Sequence, residues 1–333
     1  MVTTIKASDF LYITPVVRSR EVRMLSRERI ERMLDASGVD EAAKIASECG
    51  YPDMSGFSIF EIESALSRHR KEIYDELSQQ DSTGAIVDLF RMKYDFHNVK
   101  ALVKAFALGT SVGGILSDCG RISADAIAAA VHGESGAELP PDIRQATELA
   151  TSILARTANP QLSDIEIDRI YFDGMAAHAA ALKNPFISGY VRLMIDAANL
   201  RVYVRCKRTE RSEDFVKLCL LSGGNTPVDG IVTAYSADRY AETVFTAAEL
   251  LPAAQLAKSA MEGGAQTQFE RECDNALLRY CGAVRMVSFG AEVVTAYLTE
   301  LDWEITAIRM ILAGKLSGIE SAVIKERLRE NYV

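Results

Sequence analysis

The amino-acid sequence predicts an all-α protein. Almost every periodic apolar segment has the spacing of a helix, and no stretch combines sustained alternation with β-branched residues. Apolar residues make up 48% of the 333 positions, enough for a sizeable core. The formal net charge of −9 argues against a protein that binds nucleic acids regardless of sequence, because neutralising phosphates requires a basic surface.

The helix signals can be followed along the chain. Thr14-Pro15 is a capping residue followed by proline, which predicts a helix over residues 14–35. Ser58 predicts the start of a helix reaching about residue 79, and the next runs from about residue 83 to 108, where Gly109 can end it. Shorter helices are predicted over residues 123–131, 142–155, 213–221, 238–245 and 319–329.

One helix-start pattern occurs three times. A hydroxyl residue is followed three positions later by glutamate, as in a capping box, where the hydroxyl accepts from the backbone of that glutamate and the glutamate accepts from the backbone of the hydroxyl residue. The intervals are 105 and 104 residues, which indicates a repeated architecture. The three pairs are Ser58 with Glu61, Ser163 with Glu166, and Thr267 with Glu270.

A second pattern follows each of these starts. It consists of an acid, an asparagine three residues later, an aliphatic residue and a base, and apolar stripes continue its helices. The third copy has Ala307 where the others have asparagine. The copies are Asp95, Asn98 and Lys100; Asp196, Asn199 and Arg201; and Glu304 and Arg309.

The third repeat is short, because only 67 residues remain from Thr267 onward, whereas 57 residues precede Ser58. Within those 57 residues, Leu25-Ser26 is similar to Ile122-Ser123 in the tail of the first repeat. We therefore expect three helical modules with approximate threefold symmetry, the N-terminal segment completing the third. Their bounds are 58–162, 163–266, and 267–333 together with 1–57.

Two roles are open for the three acids. They could form a ring of carboxylates that binds a cation or a proton, or each could fix the packing of its own module by hydrogen bonds or ion pairs. The structural role is favoured, since buried charges persist when they are paired. The bases come five residues after the acids, the wrong phase for pairing within one helix, so we expect them to pair between helices or modules.

The sequence contains only weak signals for a catalytic, phosphate-binding or metal-binding site. Ser111 lies in a G-x-S-x-G pattern, but the expected context is a helix followed by a loop, not the strand-to-helix turn that a hydrolase needs. Gly314-Lys315 lacks the other residues of a phosphate-binding loop. His97 has no histidine counterpart in the other repeats and is expected on a helix surface or in packing. The six cysteines lack metal-ligand spacing and are expected to be buried free thiols.

Two runs of basic residues are expected to be solvated helix faces, with partner contact as the alternative. The first contains Arg18, Arg20, Arg23, Arg27 and Arg29, and the second contains Arg201, Arg205, Lys207, Arg208 and Arg211. The chain begins without an apolar leader and has no long uncharged apolar run, so a cytosolic, soluble protein is expected.

Together, the three acid and base motifs resemble those of the C subunits of the archaeal and bacterial V-type (A-type) ATPases, whose eukaryotic counterpart is the d subunit. The resemblance covers nearly the whole chain. It implies a funnel of three helical modules and a non-catalytic socket between the central shaft and the membrane rotor ring, peripheral at the cytoplasmic face of the membrane. It implies no cofactor and no active-site residues. The alternatives are a free-standing helical scaffold of solenoid type and, least favoured, a serine hydrolase using Ser111.

Overall fold

The computed structural model describes residues 4–134 and 138–330. Residues 1–3, 135–137 and 331–333, which belong to the predicted modules, lie outside the described residues. Fifteen α-helices occupy the described ranges, and these contain no strand, so the all-α prediction is confirmed. None of the described helices is both long and apolar enough to cross a membrane.

Six long helices form three hairpins. The first hairpin is α4 with α5, the second is α8 with α9, and the third is α13 with α14. The helices in chain order are α1 Ile13–Glu21, α2 Arg27–Asp35, α3 Val39–Glu48, α4 Ile59–Leu77, α5 Asp81–Leu108, α6 Ala124–Val131, α7 Pro141–Thr157, α8 Pro160–Leu182, α9 Pro185–Arg208, α10 Glu213–Cys219, α11 Val228–Ser236, α12 Leu251–Met261, α13 Gln266–Gly282, α14 Ala291–Leu316 and α15 Ser321–Arg327.

Several predicted helix ends agree with the structure. Ser58 caps α4 in a complete capping box with Glu61, and Gly109 ends α5 in the left-handed conformation, at φ 63°. Ser123 caps α6 by accepting from the backbone N–H of Ala126. Helices α7, α10 and α15 occupy the predicted segments with small shifts of their ends.

The other two predicted capping boxes are wrong. Helix α8 begins earlier, because Asn159 caps it and Pro160 occupies its first position, so Ser163 lies inside the helix and donates to the carbonyl of Ala150. Thr267 lies in the first turn of α13, whose capping residue is Ala265 in the left-handed conformation. The three sequence pairs are evenly spaced, but only the first of them is a capping box.

Two predicted helices also differ. The single helix over residues 14–35 is two helices, because Ser26 starts a new helix and the backbone before it turns toward α14. Residues 238–245 hold only a 3-10 helix at Ala241–Thr243. There Asp238 takes a left-handed conformation at φ 53°, which ends α11 without beginning another α-helix.

The apolar core consists of two clusters. The larger joins the N-terminal helices, the first hairpin, α6 to α8 and α14, and the smaller lies among α9 to α13. The sequence also predicts apolar stripes that begin at Val99, Leu200 and Ile308, and these three residues are buried. Phe106, which belongs to the first stripe, is 47% exposed and makes an edge contact with the ring of His132. All six cysteines are free thiols, and five of them are buried.

The N-terminal helices pack against the last long helix. Helix α14 contacts α1 and α3, and α15 contacts α2. Near the end of α14, Lys315 donates to the carbonyl oxygens of Leu34 and Ala36, 2.9 and 2.6 Å away, at the end of α2. The first and last parts of the chain are thus joined by both apolar and polar contacts.

Candidate functional site

The acid of the first hairpin holds the loop that precedes a short helix. Asp95 is fully buried on α5 and accepts from the backbone N–H of Ile122 at 3.2 Å and from Arg121 Nε at 2.6 Å. Ile122 is the residue immediately before Ser123, the cap of α6. We call this arrangement the first clasp.

The second clasp has the same position in its hairpin but neutral partners. Asp196 on α9 accepts from the backbone N–H groups of Asn225 and Thr226 at 3.0 and 3.1 Å, and from Asn225 Nδ2 at 2.8 Å. Thr226 immediately precedes Pro227, the cap of α11.

The third clasp joins distant parts of the chain. Glu304 on α14 accepts from the backbone N–H of Leu25 at 2.6 Å and from the hydroxyl of Tyr51 at 2.9 Å. Leu25 immediately precedes Ser26, the cap of α2. The acid therefore binds the same point relative to a short helix as in the other clasps, although Leu25 is 279 residues away in sequence.

The three clasp carboxyl groups have pKa values above their ordinary ones. Burial raises the pKa of Asp95 against the opposing effect of Arg121, and burial likewise raises the pKa of Asp196 against its hydrogen bonds. Burial raises the pKa of Glu304 to about 7. Each of the three acids binds a separate loop, and the described residues contain no group of three acidic, histidine or cysteine side chains placed to hold a metal ion. The bonds of the clasps therefore support the structural role of the acids.

An asparagine and a glycine complete each of the first two clasps. Asn98 donates to the carbonyl of Ser117 and accepts from its N–H at 2.8 and 2.9 Å, and Asn199 does the same with Leu221 at 2.8 Å for both bonds. A Cβ at Gly120 or Gly224 would lie 2.3 Å from the carboxylate of the nearby acid. Sequence reasoning missed the two glycines, although each lies two residues before a residue whose N–H the acid binds.

The three bases pair between hairpins. Lys100 lies 2.5 Å from Asp168 on α8, and Arg309 lies 2.7 Å from Glu63 on α4. Arg201 reaches two acids on α13, Glu270 at 2.7 Å and Asp274 at 2.5 Å. The first hairpin is thereby tied to the second, the second to the third, and the third back to the first. The remaining motif acid, Glu166, pairs within α8 with Arg169 at 2.6 Å.

A central cavity of about 320 Å³ lies where the three hairpins meet. All six long helices contribute to its wall, which combines aromatic, aliphatic and charged side chains. An outer cavity of about 930 Å³ shares four of the lining residues with it. The lining of the central cavity is Arg70, Leu89, Phe90, Lys93, Tyr94, Tyr171, Met175, Tyr190, Met194, Leu277, Thr299, Asp302, Trp303, Thr306 and Arg309.

A charged cluster lies in the wall of the central cavity. Asp302 accepts from Arg70 Nε at 3.0 Å, from the hydroxyl of Tyr74 at 3.2 Å, and from Lys93 Nζ. Burial opposes ionisation, but Lys93 and Arg70 together hold the pKa of Asp302 below its usual value. Sequence reasoning missed this cluster, because Asp302 and Arg70 are 232 residues apart. The available signal was the polar pair Arg70 and Tyr74, one helical turn apart on an otherwise apolar face.

Three arginines of the first basic run, Arg18, Arg20 and Arg29, make contacts within the protein. Arg18 pairs with Glu21 and donates to the carbonyl oxygens of Val284 and Val287, and Arg20 lies 2.5 Å from Glu76. Arg29 donates to the carbonyl oxygens of Arg23 and Met24, whereas the side chain of Arg27 is 85% exposed.

The second basic run is more open. Lys207 pairs with Asp238 at 2.6 Å, and Arg208 donates to Gln266 at 3.0 Å. Arg205 and Arg211 are exposed, and the guanidinium of Arg211 lies over the ring of Phe215. Of the two runs, the second presents more of its cations at the surface.

The structure shows where the residues of the weak motifs, Ser111, His97 and Lys315, lie. Ser111 is exposed in the loop after α5, so it does not occupy a strand-to-helix turn. His97 Nε2 lies 2.9 Å from the carbonyl oxygen of Ile115. Lys315 lies in α14 and binds the end of α2, as described above.

Comparison with known proteins decides the family. The model of the ATP synthase (C/AC39) subunit family matches residues 13–327. The chain belongs to this family. Members of the family are non-catalytic stalk subunits of the V-type ATPase complex, so the hydrolase alternative is wrong and the resemblance of the motifs is confirmed.

Full-length relatives agree with the family match. The C subunit of the V-type sodium ATPase of Enterococcus hirae is 23% identical over 330 residues, covering 97% of this chain and 99% of the relative. The C subunit of the V-type ATP synthase of Thermus thermophilus is also 23% identical, with the same coverage of both chains. The C subunit of the A-type ATP synthase of Methanocaldococcus jannaschii is 20% identical and is covered over 87% of its length.

Proposed function

We propose that this chain is the socket that couples the central shaft of a rotary ATPase to its membrane rotor ring. The observation that carries the proposal is the central cavity, whose wall includes all six long helices. Side chains at the tip of a shaft that entered this cavity would contact every hairpin at once. The chain would lie peripherally at the cytoplasmic face of the membrane, with its opposite side on the loops of the ring.

The proposed socket must transmit torque, so it must resist deformation. We propose that the three hairpins belong to three modules, 58–162, 163–266, and 267–333 with 1–57, arranged around the cavity as a funnel. The inter-hairpin ion pairs of Lys100, Arg201 and Arg309 support this arrangement, because each joins one hairpin to the next. Closely packed interiors transmit strain, which suits an adapter between two rotating parts.

Removing the chain from the complex tests the coupling. Complexes reconstituted without it should still hydrolyse ATP in the soluble head but should not transport ions, and adding the chain back should restore transport. Ion transport at the normal rate without the chain would contradict the proposal.

A variant that fills the cavity tests the site. Thr306 lines the central cavity, and Thr306→Phe should fail to restore transport although the protein folds. Thr233 is exposed on α11, so Thr233→Phe is a matched control and should restore transport fully. Full transport with Thr306→Phe would place the shaft contact elsewhere.

The free-standing scaffold has less support. An open solenoid needs unpaired ends and an extended concave surface. Here the N-terminal helices pack on α14, and Arg309 of the last hairpin reaches Glu63 of the first. Solution scattering from the isolated chain should therefore indicate a compact particle, whereas an elongated one would favour the scaffold.

A further inference from the structure

The central cavity contains cationic donors that its own side chains leave unused. The side chain of Arg70 is 7% exposed and bonds to Asp302 through Nε alone. Within residues 4–134 and 138–330, its two terminal nitrogens make no hydrogen bond, and its guanidinium lies over the ring of Tyr94, 5.5 Å from the ring centroid. Arg70 lines both the central and the outer cavity, so a group that enters the space between the hairpins meets its side chain.

Two further bases surround the same space. Lys93 donates to Asp302 but keeps 38% of its side chain exposed, and an ammonium group has three donors. Arg309 pairs with Glu63 through Nε and is 35% exposed. Among the described residues that line the central cavity, Asp302 is the only acid and there are three bases, of which Arg309 is paired with Glu63, so one positive charge is left without an acidic partner.

A purely structural role does not account for this excess. Joining α4, α5 and α14 requires only the bonds that Asp302 already accepts. The terminal nitrogens of Arg70 have no hydrogen-bond acceptor among the described residues and are not fully desolvated, so they can donate to an acceptor that enters the cavity. A planar carboxylate matches the two terminal nitrogens of a guanidinium in bidentate geometry.

The size and walls of the cavity indicate what carries the carboxylate. The volume of about 320 Å³ exceeds the needs of a simple ion and lies at the lower end of ligand sites, which span about 300–1,000 Å³. Tyr94, Tyr171, Tyr190 and Trp303 supply aromatic surface beside the bases. An aspartate or glutamate side chain with an adjacent apolar residue has both required parts.

We infer that the central cavity is a receptor for an acidic side chain of the shaft, bound by Arg70 with help from Lys93 and Arg309. This inference rests on the proposed function, since it names the chemistry by which the socket recognises its partner. Because the bases lie between the hairpins, the bound carboxylate would fix the shaft to more than one of them.

Trp303 is the only tryptophan of the chain and lines the cavity, so its fluorescence reports occupancy. We expect the amidated peptide acetyl-Glu-Tyr to change this fluorescence saturably, and the Gln-Tyr analogue to bind at least tenfold more weakly. Equal responses to the two peptides would overturn the inference. A stronger response to acetyl-Ala-Tyr with a free terminus would assign the site to a chain end, and one to inorganic phosphate to a simple anion; either would overturn the side-chain assignment.

Variants separate the receptor from the fold. Lys93→Gln removes one charge and leaves Asp302 bonded to Arg70 and Tyr74, and we expect it to weaken the binding of the Glu-Tyr peptide and of the purified shaft subunits about tenfold. The double variant Arg70→Leu, Asp302→Leu removes a buried pair together and should abolish the preference for Glu over Gln. Lys258 is exposed on α12, so Lys258→Gln is the control and should bind normally.

The two proposals fail differently. If the shaft subunits bind the unaltered chain and all variants equally, the carboxylate receptor is wrong and the socket stands. If the shaft subunits do not bind the unaltered chain, the socket proposal fails, and the peptide titration alone then decides whether the cavity recognises carboxylates.

Discussion

The first and third clasps differ in what one acidic side chain accomplishes. Asp95 binds a loop 26 and 27 residues further along the chain and has a guanidinium as partner. Glu304 binds a backbone group 279 residues away, and among the described residues its hydrogen-bond donors are the Leu25 N–H and the Tyr51 hydroxyl, neither of which is a cation. The same motif position can thus complete a local turn or join the beginning of a chain to its end. The electrostatic cost is lower where a base is included.

Replacing Asp95 should have the largest effect. Asp95→Ala leaves the N–H of Ile122 without its acceptor and removes one of two carboxylates from Arg121, which keeps Asp142 at 2.8 Å. We expect a loss of about 3 kcal/mol in the free energy of unfolding, measured by urea denaturation. Asp125 is exposed on α6, and Asp125→Ala should change stability by less than about 0.5 kcal/mol. Similar losses in the two variants would mean that Asp95 contributes no more to stability than an exposed acid does.

The third clasp should make stability depend on pH up to the neutral range. The folded protein keeps the proton of Glu304 up to about pH 7, whereas the ordinary pKa is 4.5. Between these values the folded state binds more protons, so the contribution of Glu304 to stability falls as pH rises and levels off above about 7. The free energy of unfolding should fall by about 3 kcal/mol across this pH range.

Glu304→Gln tests this titration directly. Glutamine can accept from Leu25 N–H and donate to the Tyr51 oxygen, so the variant should fold and should lose this part of the pH dependence. It should be at least as stable as the parent at pH 8, measured by denaturant titration from pH 4.5 to 8. An unchanged slope in the variant would mean that Glu304 titrates normally.

Replacing the acid of the second clasp should have an intermediate effect on stability. Asp196→Ala leaves three donors, from Asn225 and Thr226, without an acceptor, but it strands no cation. We expect a loss of about 2 kcal/mol in the free energy of unfolding, with little dependence on salt. A loss equal to or larger than that of Asp95→Ala would show that the arginine adds nothing to the first clasp.

The inter-hairpin ion pairs should contribute least to stability. Arg309 and Glu63 are 35% and 40% exposed, so Arg309→Met should cost under about 1 kcal/mol, and high salt should reduce the cost further. Thermal melting at low and high salt measures both quantities. A large loss that salt does not change would indicate a buried role for Arg309 instead.

The sequence is most informative where a local rule sets the structure. Ser58 with Glu61, Ser123 and Gly109 each end or begin a helix through bonds within a few residues, and the sequence predicts all three. The prediction at Ser163 is wrong because Asn159-Pro160 supplies an earlier start, and both signals are local. When two nearby residues could each cap a helix, tertiary packing decides which one does. A single sequence does not contain that information directly.

Long-range contacts are harder to predict. Repetition locates the acids and bases, and inter-hairpin pairing of the bases follows from their phase, but their individual partners do not. Arg70 and Asp302 form no repeated pattern, so nothing in the sequence connects them before α4 and α14 are seen together. Unrepeated sites such as the central cavity depend on contacts that only the fold creates.

The third clasp also sets an order of events during synthesis. Leu25 leaves the ribosome 279 residues before Glu304, and at roughly 5–20 residues per second this is a delay of about 15–60 s. During that interval Leu25, which is buried in the finished protein, lacks its partner on α14. The N-terminal helices therefore cannot complete their packing until the end of translation, and we expect chaperones that cover apolar surface to raise the yield of this protein.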